Sequence, residues 1–291
     1  DEVAILREFW GGGDLAPRPG LKVTELFRAL ADQRIGALWV MATNPAVSLP
    51  RGAAARDALA RAPFLVVSEV SRRSETLDVA HVRLPALAWG EKNGTVTNSE
   101  RVISRQRRFL PAPGEARADW WMVAEVAKRL GHGAGFRWNG PADIFREHAA
   151  LSGLGNAGAR RFDISALAAL DDAEYDALPP TRWPCPAAGP RPERLLGPDD
   201  PHPQRLRMIP TAFRAPAEAP DAAFPLRLLT GRLRDQWHTM TRTGAVPRLM
   251  SQAPEPFLVL HPDDAPAAAG ALVRVESPHG AAVFRLRLDP G

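Results

Sequence analysis

The sequence holds a single cysteine in 291 residues, and this scarcity limits the chemistry that the chain can carry by itself. One thiol, Cys185, excludes an internal disulfide framework and any zinc or iron-sulfur site built from cysteines of this chain. It fits a reducing compartment. No apolar run reaches the roughly 18–20 residues of a membrane span, and the N-terminus has no signal-peptide pattern. The sequence therefore predicts no membrane span within these residues, and because we expect a piece of a longer protein, the second absence says little about the targeting of the parent.

Lysine is scarce as well, since Lys22, Lys92 and Lys128 are the only lysines among 37 basic residues. The arginines are scattered among Ala, Gly and Pro instead of forming a basic stripe with interleaved aromatic residues, so no nucleic-acid partner is indicated. The zinc-protease helix motif, the phosphate loop and the serine elbow are all absent. We therefore predict no catalytic residue and no metal ligand in this chain.

Apolar periodicity in the first half of the sequence predicts an α/β arrangement. Helices are expected at 21–34, 51–62, 119–131 and 141–153, with Asp119 as an N-cap and Pro141 in a first turn. Strands are expected in "IGALWVM" and "FLVVSEV" and within "TLDVAHVRLPA". Alternating helices and strands indicate a mostly parallel sheet that is covered on both faces.

The second half of the sequence has a different pattern. Between Pro179 and Pro225 there are 13 prolines, which indicates an irregular connection between domains. After it, "FPLRLLTGR", "FLVLHP", "ALVRVES" and "AAVFRLRL" are typical of strands, the last two forming a hairpin around Pro278-His279-Gly280. This half is expected to be all-β.

Polar residues at predicted strand ends are the candidate ligand contacts, because ligands of open parallel sheets lie at the carboxyl ends of the strands. Asn44 offers an amide that donates and accepts hydrogen bonds, although it could equally serve only to open a turn before Pro45. Glu69 could accept two hydrogen bonds from a guanine base or bind ribose hydroxyls, and its alternative is a solvated carboxylate. Lys92 suits a phosphate or a solvated turn, and Asp119 suits a base or a helix cap.

The stretch "LLTGRLRDQWHTMTRTG", residues 228–244, combines groups that suit a phosphorylated aromatic ligand. Thr230 and Gly231 offer a hydroxyl and uncovered backbone amides, Arg232 and Arg234 offer cationic forks, and Trp237 offers a stacking surface. The alternative is an arginine-rich β-loop of an arginine-rich protein.

Taken together, these segments resemble the molybdopterin-dependent oxidoreductases with a bis(molybdopterin guanine dinucleotide) centre, and within them the assimilatory nitrate reductases. The similar segments keep the family's order along the chain: "FWG", "GLKVTELFRALADQRIGALWVMATNPAVSLP", "WGEKNGTVTNSERVISRQRRFLPAPGEARADWWMVAEVAKRLG", "IFREHAALSG", "FDISALAALDDAEYDAL" and "LLTGRLRDQWHTMTRTG". The resemblance implies a partial Rossmann-like domain over 1–152, a proline-rich connecting segment over 153–222 and a partial β-barrel domain over 223–291.

The same resemblance implies which residues contact the dinucleotide tails. By position they are Asn44, Ser68, Glu69, Lys92 and Asp119 in the first domain and Thr230, Gly231, Arg232, Leu233, Arg234, Asp235, Gln236, Trp237, His238 and Thr239 in the second. The implied parent enzyme is cytoplasmic and reduces nitrate to nitrite, with electrons arriving from a donor protein or domain through a 4Fe-4S cluster. The cluster motif and the molybdenum ligand are not in this sequence, so we expect a fragment that is inactive alone.

Two departures and two alternatives qualify the resemblance. His81 and Arg83 stand where many family members have an aspartate and an aliphatic residue, which predicts disturbed packing or pairing of that strand. Another superfamily member, a periplasmic-type nitrate reductase or a formate dehydrogenase, is an alternative parent. A non-catalytic dinucleotide-binding module is an alternative of a different class.

Overall fold

The computed structural model describes residues 2–13, 15–197, 200 and 208–291. They belong to two units, Asp1–Arg207 and Met208–Gly291. Among the described residues, no helix is both long and apolar enough to span a bilayer.

A parallel three-stranded sheet forms the centre of the first unit, as the sequence predicted. Its strands are β1 (Leu38–Met41), β2 (Leu65–Glu69) and β3 (Val82–Pro85), in the order β1-β2-β3. Val40 pairs with Val67, and Val67 pairs with Arg83 on the other side. The central strand carries Leu and Val because helices cover both faces of a parallel sheet.

Some helices of this unit pack against the sheet through small and branched apolar side chains. The helices of the unit are α1 (Glu2–Phe9), α2 (Val23–Ala31), α3 (Pro45–Ser48), α4 (Gly52–Ala60), α5 (Glu75–Asp78), α6 (Asp119–Ala127), α7 (Pro141–Gly153) and α8 (Asp172–Ala177). Leu30 of α2 and Leu59 of α4 are buried against Leu65 and Val67 of β2. Each such side chain contributes about 1.5–3 kcal/mol when it leaves water.

A second, antiparallel sheet was not predicted. It consists of β4 (Gly94–Thr97), β5 (Val102–Gln106) and β6 (Thr181–Arg182). Ile103 of β5 packs with Phe145, Ile164 and Tyr175 in a separate core cluster. Part of the segment predicted to be a connection thus lies in a packed core.

Several local predictions for the first unit need correction. The N-cap of α6 is Ala118, and Asp119 is the first helical residue because its carboxylate bonds to Lys92 instead of to the helix amides. Only Val82–Pro85 of "TLDVAHVRLPA" is a strand, since Ser74 caps a helical turn at Leu77. Pro141 does occupy a first turn, as predicted.

His81 does not disturb the strand that follows it. Its Nδ1 accepts a hydrogen bond from the Leu65 amide at 2.9 Å, and its own amide donates to the Leu65 carbonyl at 3.0 Å. The Arg83 guanidinium reaches the Asp78 carbonyl at 3.5 Å. The expected disturbance of pairing is therefore wrong, because both side chains find backbone partners beside the ladder.

The second unit contains α9 (Pro247–Met250) and the strands β7 (Phe257–Leu260), β8 (Leu272–Ser277) and β9 (Gly280–Leu288), in the order β7-β9-β8. The β8–β9 hairpin confirms the prediction. The strand predicted in "FPLRLLTGR" is wrong: among the described residues this segment has no partner strand, and Leu228 and Leu229 are exposed. All three sheets in the described part of the chain are open, and none closes into a barrel.

Candidate functional site

The carboxyl edge of the parallel sheet gathers several predicted contacts. Ser68 and Glu69 end β2, and Asn44 follows β1 immediately before α3. Adjacent parallel strands end at the same edge, so these residues lie in the place where open α/β sheets bind ligands.

Ser68 is buried and serves packing. Its Oγ accepts a hydrogen bond from the Trp39 indole at 2.8 Å and lies 3.6 Å from the Met122 sulfur. These contacts tie the end of β2 to β1 and α6. The Ser68 hydroxyl is therefore occupied by these neighbours, and Ser68 contributes to the site only by lying beside Glu69.

Glu69 is oriented by the turn that follows it. Its Oε1 accepts hydrogen bonds from the amides of Val70 at 2.8 Å and Ser71 at 3.1 Å. Its Oε2 has no hydrogen-bond partner among the described residues. One carboxylate oxygen is thereby fixed by the backbone, while the other can accept from a ligand donor.

Lys92 and Asp119 are brought together by the structure. The Lys92 Nζ donates to Asp119 Oδ2 at 3.0 Å, and both side chains are about one-third exposed, at 30% and 38%. Lys92 follows the short 3-10 turn Trp89–Glu91, and Asp119 begins α6. An ammonium has three donors, so Lys92 retains two for an anionic ligand.

Asn44 is bonded to residues that the sequence interpretation did not single out. Its Nδ2 donates to Glu75 Oε2 at 2.8 Å, and its Oδ1 accepts from the Thr76 hydroxyl at 2.7 Å. The hydrogen bond from Asn44 is the main cause that lowers the pKa of Glu75. The signal for these partners was the capping pattern that begins at Ser74, whose Oγ accepts from the Leu77 amide at 3.1 Å.

In the second unit, the segment Thr230–Thr239 presents an exposed aromatic group. The Arg232 guanidinium lies 5.2 Å from the centre of the Trp237 ring, and the His238 ring meets that ring edge-on at 4.6 Å. Trp237 is 58% exposed. Gly231 has nothing within 4 Å of the place where a side chain would begin, so its backbone is open to approach.

Contacts near its end hold this segment in shape. The Trp237 amide donates to Thr243 Oγ1 at 3.2 Å, and that hydroxyl donates to the Gln236 side chain at 2.7 Å. His238, Thr239 and Met240 all have positive φ angles, of 37°, 59° and 61°. Consecutive residues with side chains rarely adopt this conformation, and such strain tends to concentrate at ligand-binding turns.

The middle of the same segment borders a cleft of about 330 Å³, a volume at the lower end of small-molecule sites. Its walls combine charged and amide groups with apolar ones: Leu233, Arg234, Asp235, Gln236, Leu249, Gln252, Ala253, Phe257 and Arg287. Arg234 pairs with Asp235 at 3.2 Å. Thr230 is exposed and precedes the cleft.

Within the described ranges, no group of three or more His, Cys, Asp or Glu side chains is placed to hold a metal ion. Cys185 is buried in the second core cluster of the first unit. The candidate residues of the first unit offer carboxylate and amide groups at strand ends and an ammonium. Those of the second unit offer guanidinium groups and an exposed indole. Groups of these kinds donate hydrogen bonds to nucleotides, accept hydrogen bonds from them and stack on their bases.

Two family descriptions match the chain. "Molybdopterin oxidoreductase" covers residues 6–129, and the molybdopterin dinucleotide binding domain covers residues 226–291.

Curated relatives are similar over nearly all of this chain but are much longer. A nitrate reductase of Klebsiella oxytoca is 50% identical over 100% of the chain, which spans 34% of that protein. The assimilatory nitrate reductase catalytic subunit of Bacillus subtilis is 32% identical, with 98% of the chain and 40% of that protein aligned. The alpha subunit of an F420-dependent formate dehydrogenase of Methanocaldococcus jannaschii is 32% identical, with 99% and 41% aligned.

Among solved structures, acetylene hydratase from Pelobacter acetylenicus superposes with a TM-score of 0.61 at 20% sequence identity. The match covers 91% of this chain and 37% of the hydratase chain. The chain thus shares its fold with part of that enzyme, and it spans about a third of the length of the K. oxytoca relative.

Proposed function

The chain belongs to the molybdopterin oxidoreductase family, and from that premise we propose that it binds the guanine dinucleotide tails of a molybdenum bis(molybdopterin guanine dinucleotide) cofactor within a nitrate reductase. In this proposal residues 1–152 are a partial Rossmann-like domain, 153–222 a connecting segment whose first part packs in the second core cluster of the first unit, and 223–291 a partial β-barrel domain. The proposed site residues are the predicted set at Asn44, Ser68, Glu69, Lys92, Asp119 and Thr230–Thr239, of which Asn44 and Ser68 are bonded to neighbouring elements of the first unit.

The donor and acceptor groups of these residues fit the parts of such a tail. A guanine presents two adjacent N–H donors, which suit a carboxylate such as Glu69. In the first unit, the ammonium of Lys92 suits a pyrophosphate. Independently, the guanidinium of Arg232 in the second unit also suits a pyrophosphate, since both groups are cationic donors. The exposed Trp237 ring supplies a surface for a base to stack on.

The observation that carries the proposal is the free oxygen of Glu69 at the carboxyl edge of the parallel sheet. The two amides that bind Oε1 hold the carboxylate in place before a ligand arrives, so little side-chain entropy is lost on binding. The bound cofactor supplies the redox chemistry that removes an oxygen atom from nitrate. This chain supplies binding, orientation and charge.

Three further features of the parent follow from the same proposal. We place it in the cytoplasm, in keeping with the single cysteine of this chain. Its electrons come from a donor protein or domain through a 4Fe-4S cluster held elsewhere. Nitrate is the substrate of the parent.

The test uses the polypeptide encoded by the complete reading frame that contains this chain. We expect molybdenum, and GMP released by acid, in the one-to-two ratio that a bis(dinucleotide) centre requires, together with nitrite formation from nitrate. Glu69→Ala and Trp237→Ala should each lower molybdenum occupancy. Trp121→Ala is a matched control, because that exposed indole also lies near a guanidinium, Arg117, at 5.7 Å.

Unchanged molybdenum content in both site variants would refute the contacts. Formate oxidation in place of nitrate reduction would favour a second candidate function, that of a formate dehydrogenase. This candidate is supported by the similarity to the M. jannaschii formate dehydrogenase subunit. GMP binding without molybdenum or redox activity would indicate a non-catalytic dinucleotide-binding module.

A further inference from the structure

Asn44 links the ends of two neighbouring strands. Its Oδ1 accepts from both the amide and the hydroxyl of Thr76, at 3.3 and 2.7 Å, and its Nδ2 donates to Glu75 at 2.8 Å. An amide carbonyl oxygen has two lone pairs, and Thr76 occupies both. This oxygen is therefore not available to accept a hydrogen bond from a ligand.

Thr76 extends the link to the start of a helix. Its hydroxyl accepts from the Ala46 amide at 3.1 Å, in the first turn of α3, where amides have no partner inside the helix. Thr76 is completely buried, so no water can replace its hydroxyl. The residues after β1 and those after β2 are consequently joined through one side chain.

The loop between Glu69 and Thr76 is fixed at both ends by this arrangement. At its start, Glu69 Oε1 binds the Val70 and Ser71 amides. At its end, Asn44 holds Glu75 and Thr76. Loss of the second anchor would free the loop to move and to carry the Glu69 carboxylate with it.

We propose that Asn44 serves the dinucleotide site as a positioning residue, acting through Thr76 and Glu75 on the loop that orients Glu69, and not by accepting a hydrogen bond from the ligand at its amide oxygen. The inference rests on the proposed function and adds Thr76 and Glu75 to the site. It separates two roles that a strand-end asparagine can have. A direct contact acts without Thr76, whereas a positioning role requires it.

The test measures binding of guanosine diphosphate, which carries the guanine, ribose and pyrophosphate of the proposed tail, to the cofactor-free polypeptide encoded by the complete reading frame that contains this chain. Asn44→Ala and Thr76→Val should each weaken binding roughly fivefold, the equivalent of one lost hydrogen bond. The double variant should bind no worse than either single variant, because both remove the same link. Thr76→Ser, which keeps the hydroxyl, should restore binding.

Amide hydrogen exchange gives a second readout that does not need the ligand. Exchange at Ala46 and across 70–76 should accelerate in Asn44→Ala and Thr76→Val, while protection of the Leu65 and Val67 amides shows that the fold is intact. Asn98→Ala is the matched control, since Asn98 Oδ1 also accepts from two amides, those of Glu100 and Val102, each at 3.0 Å. It should leave both readouts unchanged.

Three outcomes would overturn the inference. Weaker binding in Asn44→Ala with normal binding in Thr76→Val would indicate a direct ligand contact by Asn44. Additive losses in the double variant would indicate two independent roles. Wild-type affinity in both single variants would remove Asn44 from the site, whereas failure of the wild-type chain to bind guanosine diphosphate would refute the proposed function itself.

Discussion

The predicted contacts of the first unit are held by the chain around them, while those of the second unit lie on an exposed segment. At the edge of the parallel sheet, Ser68 and Asn44 are buried and bonded to other elements. Trp237, in contrast, is 58% exposed, and its neighbours His238 and Thr239 are in left-handed conformations. The first set is ordered by tertiary packing, the second by contacts within a short stretch of sequence.

This difference predicts how much side-chain entropy each set of residues would lose on binding a ligand. A contact that is already fixed loses little entropy when a ligand arrives, whereas a side chain that must be ordered costs about 0.5–1.5 kcal/mol. The strand-end residues of the first unit therefore suit specificity. Exposed side chains of the second unit, such as Trp237, would lose more conformational entropy when a ligand orders them.

The largest expected effect is a loss of stability on replacing a buried leucine of the first unit, compared with an exposed leucine of the second. Leu65→Ala removes a fully buried side chain from β2 and should destabilise the first unit by about 3 kcal/mol through the cavity it leaves. Leu229→Ala, at an 82% exposed position in the segment wrongly predicted as a strand, should change stability by less than about 0.5 kcal/mol. Amide exchange in each unit measures both. A large loss for Leu229→Ala would show that this segment does pair in solution.

A smaller effect is expected from Ser68→Ala. The Trp39 indole N–H would lose its acceptor at 2.8 Å, and an unsatisfied donor that is partly buried costs about 1–2 kcal/mol. Chemical denaturation measures the loss. Ser99→Ala, at an exposed turn position, is the control and should be neutral. Equal stability of both variants would mean that water replaces the serine hydroxyl.

Glu75 gives a pH-dependent effect below about 1 kcal/mol, because the side chain is mostly exposed. Its pKa is lowered by the hydrogen bond from Asn44, so the folded pKa lies below the unfolded one. The stabilisation is thus present above the ordinary carboxyl range of about 4 and is lost as the pH falls through the lowered value. Wild type should exceed Glu75→Gln in stability at pH 7 and lose that advantage at acid pH. A constant difference between the two would contradict the assignment.

The smallest effect has the opposite sign. Thr239 has a φ of 59°, which strains a β-branched residue, so Thr239→Gly should raise the stability of the second unit by about 0.5 kcal/mol. Thermal unfolding of the variant measures this gain. If Thr239→Gly also lowers cofactor occupancy, the strained turn is maintained for binding. A destabilised variant would show that the Thr239 hydroxyl, which lies 2.7 Å from that of Thr241, outweighs the strain.

Sequence patterns predicted the elements whose signals are local. The runs "ALWVM" and "FLVVSE" and the helix that begins at Pro141 were identified correctly, because apolar periodicity and capping residues act within a few positions. The β8–β9 hairpin was found for the same reason. The strand predicted before Thr230 failed because a strand also needs a neighbour to pair with, and a local pattern does not supply one.

The sequence predicted where the candidate site lies, but not which residues hydrogen-bond to one another there. The edge of a parallel sheet pointed to Asn44 and Glu69, yet Thr76 and Glu75 became visible only when the chain between β2 and β3 folded back onto Asn44. Asp119 was read as a helix cap because its partner, Lys92, is 27 residues away in sequence. Polar pairs that are this far apart along the chain produce no periodic pattern in the sequence from which they could be predicted.

The strand order of the second unit has a consequence for how it folds. β9 pairs with β8 across a tight turn and with β7 in parallel on its other edge. The hairpin needs only local contacts and should form on the microsecond timescale. β7 can pair with β9 only after the chain between them, which contains β8, has brought the two strands side by side. We therefore expect the last 20 or so residues to act as the nucleus of this unit, with β7 docking later as the slower step.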